Sequence, residues 1–300
     1  MLSALVLLCL GLDLARAAAA DAGSAASLRD KYVELQTRLS DNQFDRPIQL
    51  DSIETSDGML GDAYALVAHP FATVAEALHR PEHWCDILNL HPNTKFCRPS
   101  PAGQGSILDL VVGKKHDQPL AEAFDLEFAH RVSARRRSYL QVHLSADEGP
   151  LGTRDYRILL EAVALPQGQT FIHLSYAYAY GFAGALAVRS YFATIGSQKM
   201  GFTVVGVGSD GQPRYVGGIR GAVERNTMRY MIAIEAFLGA LSAPPHARFE
   251  KRIHDWFAAV ERYPRQLHDM EQSEYLDMKR KENSRQRSLQ SRTAHVRSNL

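Results

Sequence analysis

IRGAVERNTMRYMIAIEAFLGAL, residues 219–241, reads as a long helix near the end of the folded part of the chain. Apolar or ring-bearing side chains recur at Ile219, Val223, Tyr230, Ile234, Phe237 and Leu241, the three-and-four spacing that keeps one stripe against a core. Only Asn226 interrupts that stripe. From Tyr230 to Leu241 the sole charged residue is Glu235, so most of the helix circumference should be covered by other elements. About 23 residues at about 1.5 Å each give a rod of roughly 35 Å, enough to cross a small domain.

The chain ahead of this helix supplies strands. Residues 48–55 alternate, Asp57-Gly58 is a hairpin signal, and 61–68 reads as the returning strand. Phe71, Val74, Ala75 and Leu78 share a helical face, Pro81 interrupts, and Trp84, Ile87 and Leu88 resume it, predicting two short helices that meet at the proline. Strand texture then covers 107–112, 121–131, 138–145, 155–165 and 170–180. The separators are short, polar or Gly/Pro-bearing, so neighbouring strands should pair antiparallel. Residues 181–199 read as a helix, and 202–207 with 213–216 flank Ser209-Asp210-Gly211 as one more hairpin.

At the N-terminal side, Ser27 with Asp30 resembles a capping box, and Leu28, Tyr32, Leu35 and Leu39 fall on one face of a helix within 27–46. At the other end Pro244-Pro245 closes the folded unit. Phe249, Ile253, Trp256, Phe257 and Val260 then predict an amphipathic helical extension over 246–278, stopped or kinked at Pro264. Residues 279–300 carry seven basic side chains (Lys279, Arg280, Lys281, Arg285, Arg287, Arg292, Arg297) against Glu282, which reads as a disordered basic tail.

Composition excludes little by itself. The chain has 300 residues, 45% of them hydrophobic, and a formal net charge of +1, so no whole-protein field attracts nucleic acid or acidic substrates. The basic tail lacks a recognition element, and no nucleic-acid partner is expected. Residues 2–12 are an apolar run followed by Ala15-Arg16-Ala17 and further alanines, which reads as a cleaved signal peptide over 1–20 and a periplasmic or secreted location. The run is too short for a bilayer, which needs about 20 apolar residues. Leu8 before Cys9 argues against a lipid anchor. That leaves Cys85 and Cys97, which either form a disulfide, where closing a loop of about 15 residues is worth roughly 3 kcal/mol, or are two buried thiols.

Strand, two short helices, a run of antiparallel strands and one long C-terminal helix is an uncommon order. It resembles the helix-grip fold of the START and polyketide-cyclase superfamily (SRPBCC). The resemblance covers residues 48–241, within a domain spanning 47–243, and is one of element order. It implies an α+β fold: a curved antiparallel sheet wrapped around the long C-terminal helix, here with an additional helical extension. It also implies an apolar cavity between sheet and helix, and a function in binding sterols, lipids, polyketides or other apolar molecules, with cyclisation or hydrolysis in some members. The chain departs from the pattern in the hairpin at 202–216, the helix before it and the extension after Pro245.

Two motifs fail on their context. His79-Arg80-Pro81-Glu82-His83 matches the H-x-x-E-H zinc pattern, which needs an unbroken helical turn that Pro81 opposes. Gly206-Val207-Gly208-Ser209-Asp210-Gly211 matches G-x-G-x-x-G, yet a strand-like stretch follows where phosphate binding requires a helix N-terminus. No metal and no cofactor is expected, and no nucleophile is visible.

The candidate ligand-binding residues are Tyr176, Tyr178, Tyr180, Tyr230, Ile234, Glu235 and Phe237. Three tyrosines on one face of a strand either line a cavity with apolar walls and hydrogen-bonding tips or cover the outer face of the sheet. Glu235 is paired with an arginine such as Arg229, stands in an apolar setting with a raised pKa suited to anchoring or protonating a ligand, or reaches solvent at the helix edge. The segment around Trp256 with the basic tail could rest on an anionic membrane. The leading expectation is an exported carrier of an apolar lipid or isoprenoid-like ligand. The rivals are a cavity enzyme of cyclase or hydrolase type and a non-catalytic envelope protein acting through its C-terminal extension.

Overall fold

The computed structural model describes residues 24–55, 58–103, 105–180 and 199–298. The signal segment, and the helix expected at 181–199 apart from Lys199, lie outside them. Eight strands make one antiparallel sheet in the order β1-β2-β8-β7-β6-β5-β4-β3. They are β1 (Ile48–Glu54), β2 (Gly58–Val67), β3 (Thr94–Ala102), β4 (Gly105–Val112), β5 (Phe124–Arg136), β6 (Tyr139–Glu148), β7 (Thr153–Ala164) and β8 (Thr170–Tyr180). The β3-to-β8 meander thus returns to lie beside β2. Bulges between Val132 and Ala134 and between Arg154 and Arg157 bend the long central strands, the second with Asp155 at a φ of 52°. The result is a curved sheet gripping one long helix, an α+β helix-grip architecture.

Helix α1 (Ala25–Ser40) precedes the sheet, α2 (Phe71–Leu78) and α3 (Pro81–Leu88) separate β2 from β3, and the gripped helix is α4 (Gly218–Gly239). Before it, β9 (Val204–Val207) and β10 (Pro213–Tyr215) form the separate hairpin that the sequence predicts. After it come α5 (Arg248–Val260), α6 (Pro264–Leu267) and α7 (Gln272–Ser298). α4 packs on β1, β2 and β8 with one side and on α3 and α5 with the other, which is why even its glutamate and arginines at 224, 225 and 229 are buried. The opposite face of the sheet is covered by α1, where Leu28, Leu35 and Leu39 meet Tyr139, Val163 and Phe171.

Sheet and helix approach most closely at Gly61 of β2. A methyl group there would stand 2.4 Å from Thr227 Oγ1, and that hydroxyl is already committed to the Val223 carbonyl at 2.9 Å. Gly61→Ala is therefore expected to destabilise the fold by about 1–3 kcal/mol through overpacking, and by less in a Thr227→Ala background. Urea unfolding of the two singles and the double checks this; equal costs in both backgrounds would contradict it.

The following features differ from the sequence expectation. β3 is absent from it because Pro99 and Pro101 break the strand pattern; as an edge strand paired only with β4, β3 tolerates them. The cap of α1 is Ser24, whose hydroxyl accepts the Ser27 N–H at 3.1 Å, so Ser27 and Asp30 lie inside the first turn. The expected disordered tail at 279–300 is helical to Ser298, because Lys279 and Glu282 are buried partners and not solvated charges. Finally, the apolar face around Trp256 is spent inside the protein: Ile253, Trp256, Phe257 and Val260 are buried, with the indole stacked on Tyr275 at 4.8 Å. That face is not free to lie on a membrane.

α7 also shields the exposed edge of the sheet. Gln286 Oε1 accepts the Cys97 N–H at 3.2 Å, and Arg285 donates to the Lys95 carbonyl at 3.4 Å. Cys85 of α3 and Cys97 of β3 are joined by a buried disulfide with their Cα atoms 5.2 Å apart. No described helix is long and apolar enough to cross a membrane.

Candidate functional site

The alternation of β8 points Tyr176, Tyr178 and Tyr180 toward α4, which decides between the two readings of the tyrosine stripe. Tyr176 and Tyr180 are buried within the core that includes α4, and the Tyr176 ring lies 5.4 Å from that of Tyr230 on the helix. Tyr156 of β7, which the sequence did not single out, stacks on Tyr178 at 5.5 Å and meets Phe128 edge-on at 6.2 Å. It lies in the bulge between Arg154 and Arg157, where the β7–β8 register shifts, which a strand pattern alone does not give. Tyr156, Tyr178 and Tyr230 are only partly buried.

Burial raises the phenol pKa of Tyr156, Tyr176, Tyr178 and Tyr230, so each stays a neutral hydrogen-bonding group near neutral pH. Asn226, the polar interruption in the α4 stripe, has its counterpart here: it is hydrogen-bonded to Tyr176, and its Oδ1 lies 3.4 Å from His91 Nε2. The His91 ring is 5.2 Å from Tyr230. Burial, then the charges of Arg229 and Lys115, hold His91 well below its ordinary pKa and therefore neutral.

Ile234 and Phe237 belong to a different part of α4. Both are fully enclosed, with Phe237 against His83 of α3 at 4.9 Å and under the Arg252 guanidinium of α5 at 4.5 Å. They are packing residues there. Glu235 is ion-paired with Arg46, beside Tyr263, and not with Arg229. It does not join the tyrosine group.

Arg229 instead faces Asp269, in the segment between α6 and α7, at 2.6 Å. Lys115 and Lys199 reach the same carboxylate at 2.6 and 3.3 Å. Burial alone would raise the Asp269 pKa, but Arg229 and Lys115 hold it below the ordinary carboxylate range. Burial and then Arg229 lower Lys115 to about 7. The sequence offers no signal for this cluster, since its members come from four separated segments.

Two further polar groups are structural. Glu224 is completely buried and accepts hydrogen bonds from the Phe202 and Thr203 amides at 2.6 and 2.9 Å, from the Thr203 hydroxyl at 2.6 Å and from Ser52. On the α1 side of the sheet, His173 bridges Asp62 and Glu161 at 2.9 Å each, and those contacts raise its pKa against the effect of burial. No cluster of His, Cys, Asp and Glu among the described residues has the geometry to hold a metal. The H-x-x-E-H segment is broken as Pro81 predicts, with His79 closing α2, Arg80 extended and Pro81 opening α3. The G-x-G-x-x-G segment is the β9–β10 turn, with Gly211 at a φ of 77°.

No protein-family model and no curated protein matches the sequence. Solved structures similar to the chain include a norcoclaurine synthase point mutant from Thalictrum flavum in complex with a transition-state analogue. It is 16% identical with a TM-score of 0.34, over 47% of this chain and 86% of that one. Ara h 8.0201 is 11% identical with a TM-score of 0.34, over 64% of this chain and 99% of its own. Human StAR-related lipid transfer protein 5 is 12% identical with a TM-score of 0.30, over 56% and 87%. All three are folds of the START/SRPBCC type. With scores this low, the assignment of this chain to a helix-grip architecture rests on its own strand order and register.

Proposed function

We propose that this protein is an exported, non-catalytic carrier that holds an apolar small molecule between the curved sheet and α4, against the tyrosine group. The observation that carries this reading is the partial exposure of Tyr156, Tyr178 and Tyr230 on the gripped side of the sheet, where a close-packed structural core would seal its rings. Aromatic walls with a few neutral hydroxyl tips are how small-molecule sites are commonly built. Binding would draw on burial of ligand surface at about 25 cal/mol per Å². Export draws support from the apolar N-terminal run and from the Cys85–Cys97 disulfide, which suits an oxidising compartment. The cyclase or hydrolase alternative loses its most plausible acid, because Glu235 is engaged with Arg46 away from the tyrosines.

Full-length protein purified gently from an exporting cell is expected to carry an extractable apolar molecule, visible by mass spectrometry, and its mature chain to begin near residue 21. Repeatedly empty preparations that also leave an added apolar fluorescent probe unbound would end this reading.

A further inference from the structure

Arg229, Lys115 and Lys199 converge on a single carboxylate, that of Asp269. Three cationic groups meet one anion, the two lysines partly solvated and the arginine enclosed, so a further anion placed beside them would be favoured. Two observations bear on what that is. The Arg229 side chain is 1% exposed, and its Nε, sealed from solvent, has no hydrogen-bond partner among the described residues. Lys115 is lowered to about 7 first by burial and then by the neighbouring guanidinium, with Asp269 opposing the fall.

The cluster adjoins the tyrosine group. Arg229 and Tyr230 are neighbours on α4, and His91, which feels the charge of Arg229 and Lys115, packs on the Tyr230 ring. Lys115 and Lys199 keep side-chain exposures of 35% and 40%, whereas Arg229 is enclosed, so the positive charge extends from the surface to the interior. Charge at the edge and neutral phenols within suit a molecule with one anionic end.

We propose that Arg229, Lys115 and Lys199, steadied by Asp269, form the head-group subsite for a carboxylate or phosphate oxyanion carried on an otherwise apolar molecule. The inference rests on the carrier reading and names the class of ligand for it. Guanidinium and ammonium groups give charge-assisted hydrogen bonds to such an oxyanion, and the lost solvation of the head is made good by fixed positive charge.

The test is equilibrium binding of oleate, oleyl alcohol and inorganic phosphate to the full mature chain. Oleate is expected to bind about tenfold or more tighter than the alcohol. In a Lys115→Met/Lys199→Met double variant that ratio should fall to about one, and Lys115→Arg/Lys199→Arg should restore it; thermal unfolding of both variants confirms the fold. Equal affinity for oleate and the alcohol in the native protein overturns the head-group inference and leaves the carrier reading standing. Binding of neither amphiphile overturns both. Phosphate binding that the Met variant loses, without any amphiphile binding, identifies a free anion as the ligand and also overturns the proposal.

Discussion

Replacing Glu224 with alanine is expected to lower the unfolding free energy by about 3–5 kcal/mol, the range for breaking a buried, hydrogen-bonded charge. From its place on α4 this carboxylate gathers donors from two other parts of the chain, Ser52 of β1 and the amides and hydroxyl of residues 202–203. Removing it leaves the Phe202 N–H buried with no acceptor, since Phe202 is 2% exposed, and takes the acceptor from the part-buried Thr203 N–H. The close approach that permits the clamp is set by Gly201, where a methyl group would stand 2.4 Å from Glu224 Oε2. Glu224→Gln keeps the volume but turns an amide toward donors, so about 2–3 kcal/mol should be lost. Chemical denaturation measures both, and hydrogen exchange should quicken first at Phe202 and Thr203. A change below about 1 kcal/mol for alanine would mean that water replaces the carboxylate without penalty.

The second large effect is expected at Glu282. Its carboxylate lies between two buried ammonium groups, Lys95 at 3.0 Å and Lys279 at 2.8 Å, which in turn donate to the backbone carbonyls of Pro92, His91 and Thr94. Glu282→Ala leaves both lysines buried and uncompensated, costing about 3–5 kcal/mol and loosening α7 from β3. The sign of the pH dependence is fixed by Lys279. Burial lowers its pKa to about 8, with Glu282 opposing that fall, so the variant's value lies lower still. A lysine whose folded pKa is depressed penalises the fold fully below that pKa, and the penalty fades as pH rises toward the unfolded value of about 10.4. Between about pH 8 and about pH 10 native and variant chains gain stability alike, so the deficit of the variant should shrink at lower pH, as pH rises toward about 8. A deficit that stays constant as pH rises to about 8 would show that Lys279 is not the source of the cost.

How much of this the sequence carried depends on the range of the interaction concerned. The long helix, the broken helix at Pro81 and the antiparallel meander are written in local periodicity, and each stands in the structure close to its expected place. β3 is not, because edge position excuses two prolines and nothing local announces an edge. The tyrosine stripe was visible, but which face it occupied depends on what covers each side of the sheet. Glu235 stands out as the lone charge in an apolar run, whereas Glu224, Arg225 and Arg229, in a more polar part of the same helix, are the charges that the fold encloses. The partners of Glu224 and Arg229 at 52, 202–203 and 269 are distant in sequence, so spacing could not reveal them. The same holds for the tail, where the charges that suggested disorder are those that pair and bury.

The strand order also governs when the molecule can become complete. β2 pairs with β8, so Gly61 has Tyr176 as its neighbour across more than a hundred residues of intervening chain. As the polypeptide emerges from a ribosome or a translocation channel, the first hairpin must wait, with one edge open, until the whole meander has been delivered. α4 comes later still, and with it the surface that β1, β2 and β8 close upon. Such long-range closure is slow and leaves strand edges available to other chains in the meantime. A chain built this way depends on staying unfolded, or being held so, until its last third has arrived.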